Sequence, residues 1–345
     1  MALVFGLECC RQEYLDPSFR EFLTAAHTNA TTPPNISYMT VSLTVDRERW
    51  SAHVHRTLER IRTVATPVPV VKGNGYGFGR HDLAAIAARE SNTLCVGTVH
   101  ELAGLPESVT PIVLTPSLRG PEPQAVLTIG NEAHLAPLSG SGQQVIVKLA
   151  SSMQRYGRQK TLLQHAIDSG LDVKGVAIHL PLAASDDDRV AEVSALVEGL
   201  PASTPVWLSH IDPSLIDRLP TTHSYLLRVG TELWHGDRDA LHLTTDVLDV
   251  RSVSSGQNAG YRQHQVPHDG YLIMVGAGTA HGVQPLADGR SPFHFNRQRL
   301  DMFEPPHMHT TMLLVQREVD PPEIGEHVDL QRPLTQTAVD EVIWK

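Results

Sequence analysis

Cysteine is scarce in this chain: three residues, Cys9, Cys10 and Cys95, among 345. Two of them are adjacent, and none stands at the spacing of a metal-ligand set or a disulfide framework. A stapled secreted scaffold is therefore excluded, and the cytoplasm, a reducing compartment, is the expected location. Long apolar runs are also missing, so no segment reads as a membrane span. The N-terminus lacks the basic stretch followed by an apolar one that marks a secretory signal. Basic residues are outnumbered, 28 Lys and Arg against 38 Asp and Glu, for a net charge of −10. That balance argues against nucleic acid or an anionic membrane as the main partner. No internal repeat or low-complexity block occurs. The 19 histidines are scattered. His307-x-His309 is the nearest thing to a metal pair, but no carboxylate or thiol stands at sensible spacing, so no metal is expected.

What is present is an ordinary globular composition, 41% hydrophobic over a length sufficient for two domains. Residues 1–38 are mixed and poorly periodic, ending in Thr31-Thr32-Pro33-Pro34-Asn35. They read as an N-terminal extension, either disordered or reflecting an upstream start codon. A cleaner strand follows over Met39–Val45, which belongs with the barrel or joins the second domain. From there to residue 240, helical and short apolar strand patterns alternate. Helices are expected over Trp50–Val64, Asp82–Glu90, Lys160–Ser169 and Arg189–Glu198, with another from His100. Strands are expected over Val68–Val71, Thr93–Thr98, Thr110–Leu114, Glu132–Leu135, Gln144–Leu149, Val173–Ile178, Val206–Ser209 and Tyr225–Val229. Repeated βα units at this spacing predict an α/β fold, a closed (β/α)8 barrel of the TIM type, over residues 39–240. Asp186-Asp187-Asp188 reads as a solvated turn or a helix start. Over residues 241–345 the helical pattern disappears. Strands at Leu248–Val253, Tyr271–Gly276, Thr311–Val315 and His327–Leu330, separated by Gly and Pro, predict a mostly-β C-terminal domain.

The most informative stretch is Val70-Val71-Lys72-Gly73-Asn74-Gly75-Tyr76-Gly77-Phe78-Gly79. An apolar run ends at a lysine, four glycines follow, and a helical pattern resumes at His81. A dinucleotide loop needs a third glycine at position 78 or 80, where Phe78 and Arg80 stand. A phosphate-binding P-loop places its lysine after the glycines, whereas here the lysine comes first. An amine at the C-terminal end of a barrel strand lies where function collects in α/β folds. One use for it is a Schiff base with an aldehyde cofactor. On local sequence alone, a glycine-rich turn with a surface lysine remains an equal reading.

Further segments follow in a fixed order: Val96-Gly97-Thr98-Val99-His100-Glu101-Leu102, then Lys148 to Gly157 with Arg155, then Ile178-His179, Leu208-Ser209, Arg228 to Gly236, and Gly256 to Tyr261. Together with the lysine-glycine-tyrosine segment, their order and spacing resemble the alanine racemases, the fold type III enzymes that use pyridoxal 5'-phosphate (PLP). The resemblance covers nearly everything from Met39 onward. It implies PLP held on Lys72, which also serves as one catalytic acid/base. Tyr261 would be the second, acting on the opposite face of the α-carbon and supplied by the partner of a head-to-tail homodimer. It further implies that Arg228 faces the pyridine nitrogen, His179 lies beside it, and Tyr76, Ser209 and Gly230 hold the phosphate. Arg155 would contact the cofactor and the substrate, Lys148 would be carbamylated to orient Arg155, and Met308 would bind the substrate carboxylate.

Departures from the family pattern gather at substrate-facing positions. The family's Cys-Met-Asp run is matched by His307-Met308-His309, and its Gly-Tyr-x-Asp-Gly segment by Gly278-Thr279-Ala280-His281-Gly282. Thr279, smaller than tyrosine, would open the substrate entrance. An asparagine before the serine has become Leu208. The expected activity is therefore amino-acid racemisation, with alanine or a broader or different substrate. The alternative is a PLP-binding homologue with altered activity, either decarboxylase-type or catalytically silent and regulatory.

Overall fold

The computed structural model describes residues 40–345. The expected extension over residues 1–38 lies outside the described residues.

The chain enters through β1 (Val41–Val45) and then a helix, Arg47–Arg62. That helix starts where the Asp46 side chain accepts the Arg49 N–H at 3.0 Å, an N-cap that satisfies an otherwise orphaned donor. Eight parallel strands follow: β2 (Thr66–Pro69), β3 (Thr93–Val96), β4 (Thr110–Val113), β5 (Val126–Ile129), β6 (Gln144–Lys148), β7 (Asp172–Ala177), β8 (Val206–Leu208) and β9 (Tyr225–Val229). Their spatial order, β2-β9-β8-β7-β6-β5-β4-β3, places each beside its chain neighbour. The ring closes between its ends through a bridge from Val70 to Cys95, where the Val71 N–H donates to the Cys95 carbonyl at 2.8 Å. The predicted closed barrel is thus the observed one. Its strands are short apolar runs because both faces are covered, as parallel sheets require.

Two local expectations are corrected. The strand placed at Glu132–Leu135 is instead a 3-10 turn, Glu132–His134, and the true fifth strand is the earlier Val126–Ile129. The Asn131 side chain captures the Ala133 N–H at 3.2 Å, which starts a turn rather than a ladder. Val126–Ile129 is buried throughout, and the Thr128 hydroxyl is satisfied by the Val113 carbonyl at 2.6 Å. The helix expected from His100 is a single 3-10 turn, Val99–Glu101. The left-handed Gly104 lies shortly beyond it, and Glu101 turns its carboxylate back to the N–H groups of Gly97 and Gly73. The acidic triplet at 186–188 opens the helix Asp186–Val197, capped by Ser185, where the helix dipole favours negative charge.

After β9 the chain enters a long strand, β10 (Leu241–Val253), the centre of a mostly antiparallel sheet. It pairs with Gly270–Val275 and with His327–Leu330. β1 pairs with β10 as well, and parallel to the last strand, Glu341–Trp344, so the first described strand belongs to this second sheet. An aromatic cluster ties the two parts together. Trp50 lies 5.2 Å from Phe78, 5.9 Å from Trp234 and 5.2 Å from Trp344, measured between ring centroids. Phe78 belongs to the glycine-rich loop, so that loop is anchored both to the first helix and to the C-terminal strand. No helix among the described residues is long and apolar enough to cross a membrane.

Candidate active site

Lys72 leaves the barrel at the C-terminal end of β2. The strand is held to its end: Val70 donates its N–H to the Val229 carbonyl at 2.8 Å and accepts from the Trp234 indole at 2.7 Å. The loop beyond needs its glycines. Gly75, Tyr76 and Gly77 are successive left-handed residues, with φ of 64°, 57° and 92°. A Cβ on Gly75 would lie 2.5 Å from the Arg80 backbone nitrogen. Tyr76 adopts a backbone that costs a Cβ-bearing residue about 1–2 kcal/mol. Its carbonyl is held by the His235 Nε2–H at 2.7 Å, and its ring is buried against that imidazole at 5.5 Å. Gly230 sits directly behind the Tyr76 hydroxyl, which would be only 2.1 Å from a Cβ placed there. From the β-domain side, the Asn74 amide donates to the carbonyls of Leu334 and Thr337 at 2.8 and 2.7 Å.

Lys148 ends β6, and Arg155 follows in the next loop. Both cations lie over one ring, Tyr156, at 4.7 and 4.9 Å from its centroid. Lys148 is 4% exposed. Burial, reinforced by Arg228, Arg155 and Lys72, pushes its amine down to about 7. The Lys72 amine is also lowered, first by partial desolvation and then by Arg155. Its side chain opens on solvent at the barrel mouth, so water screens that effect.

Arg228, near the end of β9, donates through Nη2 to the Ile178 carbonyl at 2.8 Å and to the Ser209 hydroxyl at 3.1 Å. The Ser209 oxygen therefore accepts from the guanidinium, and its own proton goes to His179 Nδ1 at 2.6 Å. That relay requires an unprotonated Nδ1. Burial and the cations Lys148 and Arg228 hold His179 in its neutral form by lowering it to about 3. Ser209, expected at the phosphate, is thus engaged with His179 and Arg228.

Lys72, Lys148, Arg155, His179 and Arg228 influence one another electrostatically and so share the barrel mouth. Among the described residues, none of the four cations forms an ion pair. Tyr261 and Met308 are elsewhere, on the β domain, 84% and 67% exposed. Within this single chain, no interaction joins either of them to the cationic group. Several neighbours were given no site role from the sequence. His210, left-handed at φ 63°, sets its ring 4.5 Å from His179, tilted at 56°. Cys95 lies at the barrel seam, where burial pushes its thiol up to about 12 and leaves it inert. A histidine after Leu208-Ser209 and an acid after Gly97 were the available signals for His210 and Glu101.

The architecture defines a class: an eight-stranded parallel barrel with a lysine at the end of its first strand, joined to an antiparallel β domain, as in fold type III enzymes. The model of the alanine racemase N-terminal domain matches residues 45–236, more than half of the chain. The protein belongs to the alanine racemase family. Its fold is similar to that of alanine racemase from Bartonella henselae, a structure with covalently bound pyridoxal phosphate, at 18% identity and a TM-score of 0.69, covering 89% of this chain and 99% of that one. The enzyme from E. faecalis is similar at 16% identity and a TM-score of 0.68, covering 90% and 99%. That from Bacillus anthracis, with bound L-Ala-P, matches at 19% identity and 0.65, covering 85% and 86%. No curated protein sequence matches significantly.

Two predictions arise from this geometry. Gly230→Ala should displace the buried Tyr76 ring and lower stability by about 1–3 kcal/mol, as overpacking does, read as a lower Tm. Lys148 predicts a pH dependence. Its amine has an ordinary value of 10.5 when unfolded and about 7 when folded. The unfolded chain thus binds more protons between those values, and stability rises with pH across that window. At about 1.4 kcal/mol per unit, the buried charge costs several kcal/mol at pH 7 and below. Cofactor-free protein in CO2-free buffer should therefore gain stability from pH 7 toward 10, and Lys148→Met should flatten the rise.

Proposed function

We propose that this chain is a PLP-dependent amino-acid racemase, acting on alanine or a broader set of amino acids, in the cytoplasm as a head-to-tail homodimer. The observation that carries this reading is the convergence of Lys72, Lys148, Arg155 and Arg228 on one barrel mouth with no carboxylate paired to any of them. Such a donor set calls for an anionic partner, and PLP, with its phosphate and phenolic oxygen, fits it. The Gly230 position, where a Cβ would fill the space at Tyr76, fits a phosphate cradle as well.

When bound, PLP supplies an electron sink that acidifies the α-proton of an amino acid. Lys72 holds the cofactor through its amine and moves a proton at Nζ on one face of the α-carbon. Arg228 would donate to the pyridine nitrogen of the bound cofactor, and because its guanidinium does not surrender a proton it would leave that nitrogen unprotonated. His179, kept neutral, and Ser209 orient Arg228. Tyr76 and Gly230 contribute the hydroxyl and backbone N–H at the phosphate. Lys148, partly unprotonated near neutrality, can add CO2: an N–C bond forms, a proton leaves the amine, and the resulting carbamate anion sits beside Arg155. Arg155 would hold the phenolic oxygen of the cofactor and the substrate. Tyr261 of the partner subunit exchanges a proton at its phenolic oxygen on the opposite face, and Met308 of the partner subunit binds the substrate carboxylate through its backbone.

The test is an absorbance spectrum with borohydride reduction, followed by chiral analysis after incubation with single L-amino acids. A band lost on reduction together with D-enantiomer supports the racemase. A band without stereochemical change moves the weight to a decarboxylase-type or silent homologue, and no band with added PLP ends the cofactor reading.

A further inference from the structure

Glu304 is a buried carboxylate on the β domain, its side chain 2% exposed. The groups it holds belong to the turn that carries Tyr261 or to the histidine packed on Tyr261. Its Oε1 accepts the Tyr261 N–H at 3.2 Å and a hydrogen bond from His307 Nε2 at 2.6 Å. Its Oε2 lies where a Cβ on Gly260 would come within 2.6 Å, so the left-handed glycine rests directly on the carboxylate. The His307 ring meets the Tyr261 ring at 4.5 Å and 63°, an edge contact. The His307 backbone is pinned on both sides: its N–H donates to Thr310 at 2.9 Å, and its carbonyl accepts from Thr279 at 2.8 Å.

The base of the hairpin is held by Val266 and Ala259, packed near Val253 and Leu272, and by a His264–Phe303 ring contact at 6.4 Å. Gln263 bonds back to the Gly260 carbonyl. At Tyr261 itself the contacts are those of Glu304 and His307. The hairpin has only two residue pairs, Asn258 with Gln265 and Ala259 with His264, and forms a sheet separate from the main one. Tyr261 is itself 84% exposed, and among the described residues His307 is its one ring contact. An exposed aromatic on a two-pair hairpin has wide freedom unless it is tethered. An acid/base group, by contrast, must be held to about 0.5 Å and 10–20°.

We propose that Glu304 and His307 are a positioning pair. Glu304 tethers the Tyr261 turn to the β domain and orients the imidazole against which the phenol ring is set, so that this chain presents Tyr261 as the second acid/base group of a racemase site. The proposal rests on the racemase reading. His307 stands where the family has cysteine, so the pair is a device of this sequence rather than of the resemblance.

The experiment uses the full-length protein and two readouts. In the first, amide hydrogen exchange over residues 256–266 is followed without cofactor. Glu304→Ala should speed exchange at Tyr261 by about tenfold or more, corresponding to about 1.4 kcal/mol of lost protection. Glu304→Gln, which keeps an acceptor for the amide, should recover most of it. In the second, PLP-loaded protein is assayed for racemisation and for exchange of the α-hydrogen with deuterated solvent. Glu304→Ala should lose racemisation by about 100-fold, the effect of a misplacement near 1 Å. Exchange of the enantiomer served by Lys72 should stay near the wild-type rate. His307→Ala should follow the same pattern, and His307→Phe, which keeps a ring edge, should recover part of the loss. Unchanged amide exchange in Glu304→Ala overturns the tether by itself. An equal fall in racemisation and α-hydrogen exchange also overturns the proposal, because it marks general damage. Absence of racemisation in the unsubstituted protein overturns it through the racemase reading, with the amide data showing which half failed.

Discussion

On the proposed mechanism, Lys72→Ala is expected to abolish racemisation, by more than about 10⁴-fold, because it would remove both the covalent anchor and one acid/base group. The borohydride-sensitive band should vanish with it, and mass spectrometry of the reduced protein should find no cofactor on any lysine. The expectation is strong because no other amine is placed to substitute. Lys148 is buried with its amine over the Tyr156 ring, and in the proposed mechanism it carries the carbamate instead. Lys160 donates to carbonyls at Ala195 and Glu198, and Lys174 pairs with Asp172 at 2.7 Å. A persisting band in Lys72→Ala would move the anchor elsewhere and undo the assignment of the barrel mouth.

Tyr261→Phe is expected to keep the cofactor band and lose racemisation by about 10²–10⁴-fold, the usual contribution of a positioned acid/base group. Hydrogen exchange at the α-carbon should survive for the enantiomer whose proton Lys72 handles. The placement of Tyr261, exposed on the β domain and not in contact with the cationic group of its own chain, makes a second form of the test available. Lys72→Ala and Tyr261→Phe proteins, each inactive alone, can be unfolded together and refolded as mixed dimers. If each site takes its lysine from one subunit and its tyrosine from the other, half the dimers are hybrids with one intact site. Activity should then return to about a quarter of the wild-type level, as two shared sites in a symmetric dimer demand. No recovery on mixing would mean that Tyr261 does not act across the subunit interface; a Tyr261→Phe protein that racemises at the wild-type rate would place it outside the reaction.

Much of this was already legible in the sequence, and the reasons lie in particular segments. Alternation of helical and short apolar patterns determined the barrel, because parallel strands covered on both faces must be continuous apolar runs and cannot be disguised by polar alternation. The lysine followed by glycines at alternate positions marked the end of β2, since only glycine relieves the left-handed backbone and close approach found at Gly75. The fifth strand was missed because Val126–Ile129 is only four residues and stands close to an equally short apolar pattern at 133–135. Which one becomes a strand was settled by a side chain, Asn131, that caps a turn. Glu304 was likewise invisible, for nothing local distinguishes it from an ordinary surface residue, and His210 was marked only by its place after Leu208-Ser209.

The sequence by itself determined the fold class, the order of the βα units, the lysine at the barrel mouth and the family. Those are properties of local pattern and chain order. Only the tertiary structure decided that four cations share one mouth with no carboxylate ion-paired to any of them, that Ser209 gives its proton to His179, that β1 joins the second sheet, and that Tyr261 rests on a buried glutamate. Each of these depends on groups far apart in the chain being brought to within a few ångströms, and Coulombic and hydrogen-bonding effects act on that distance rather than on separation along the sequence.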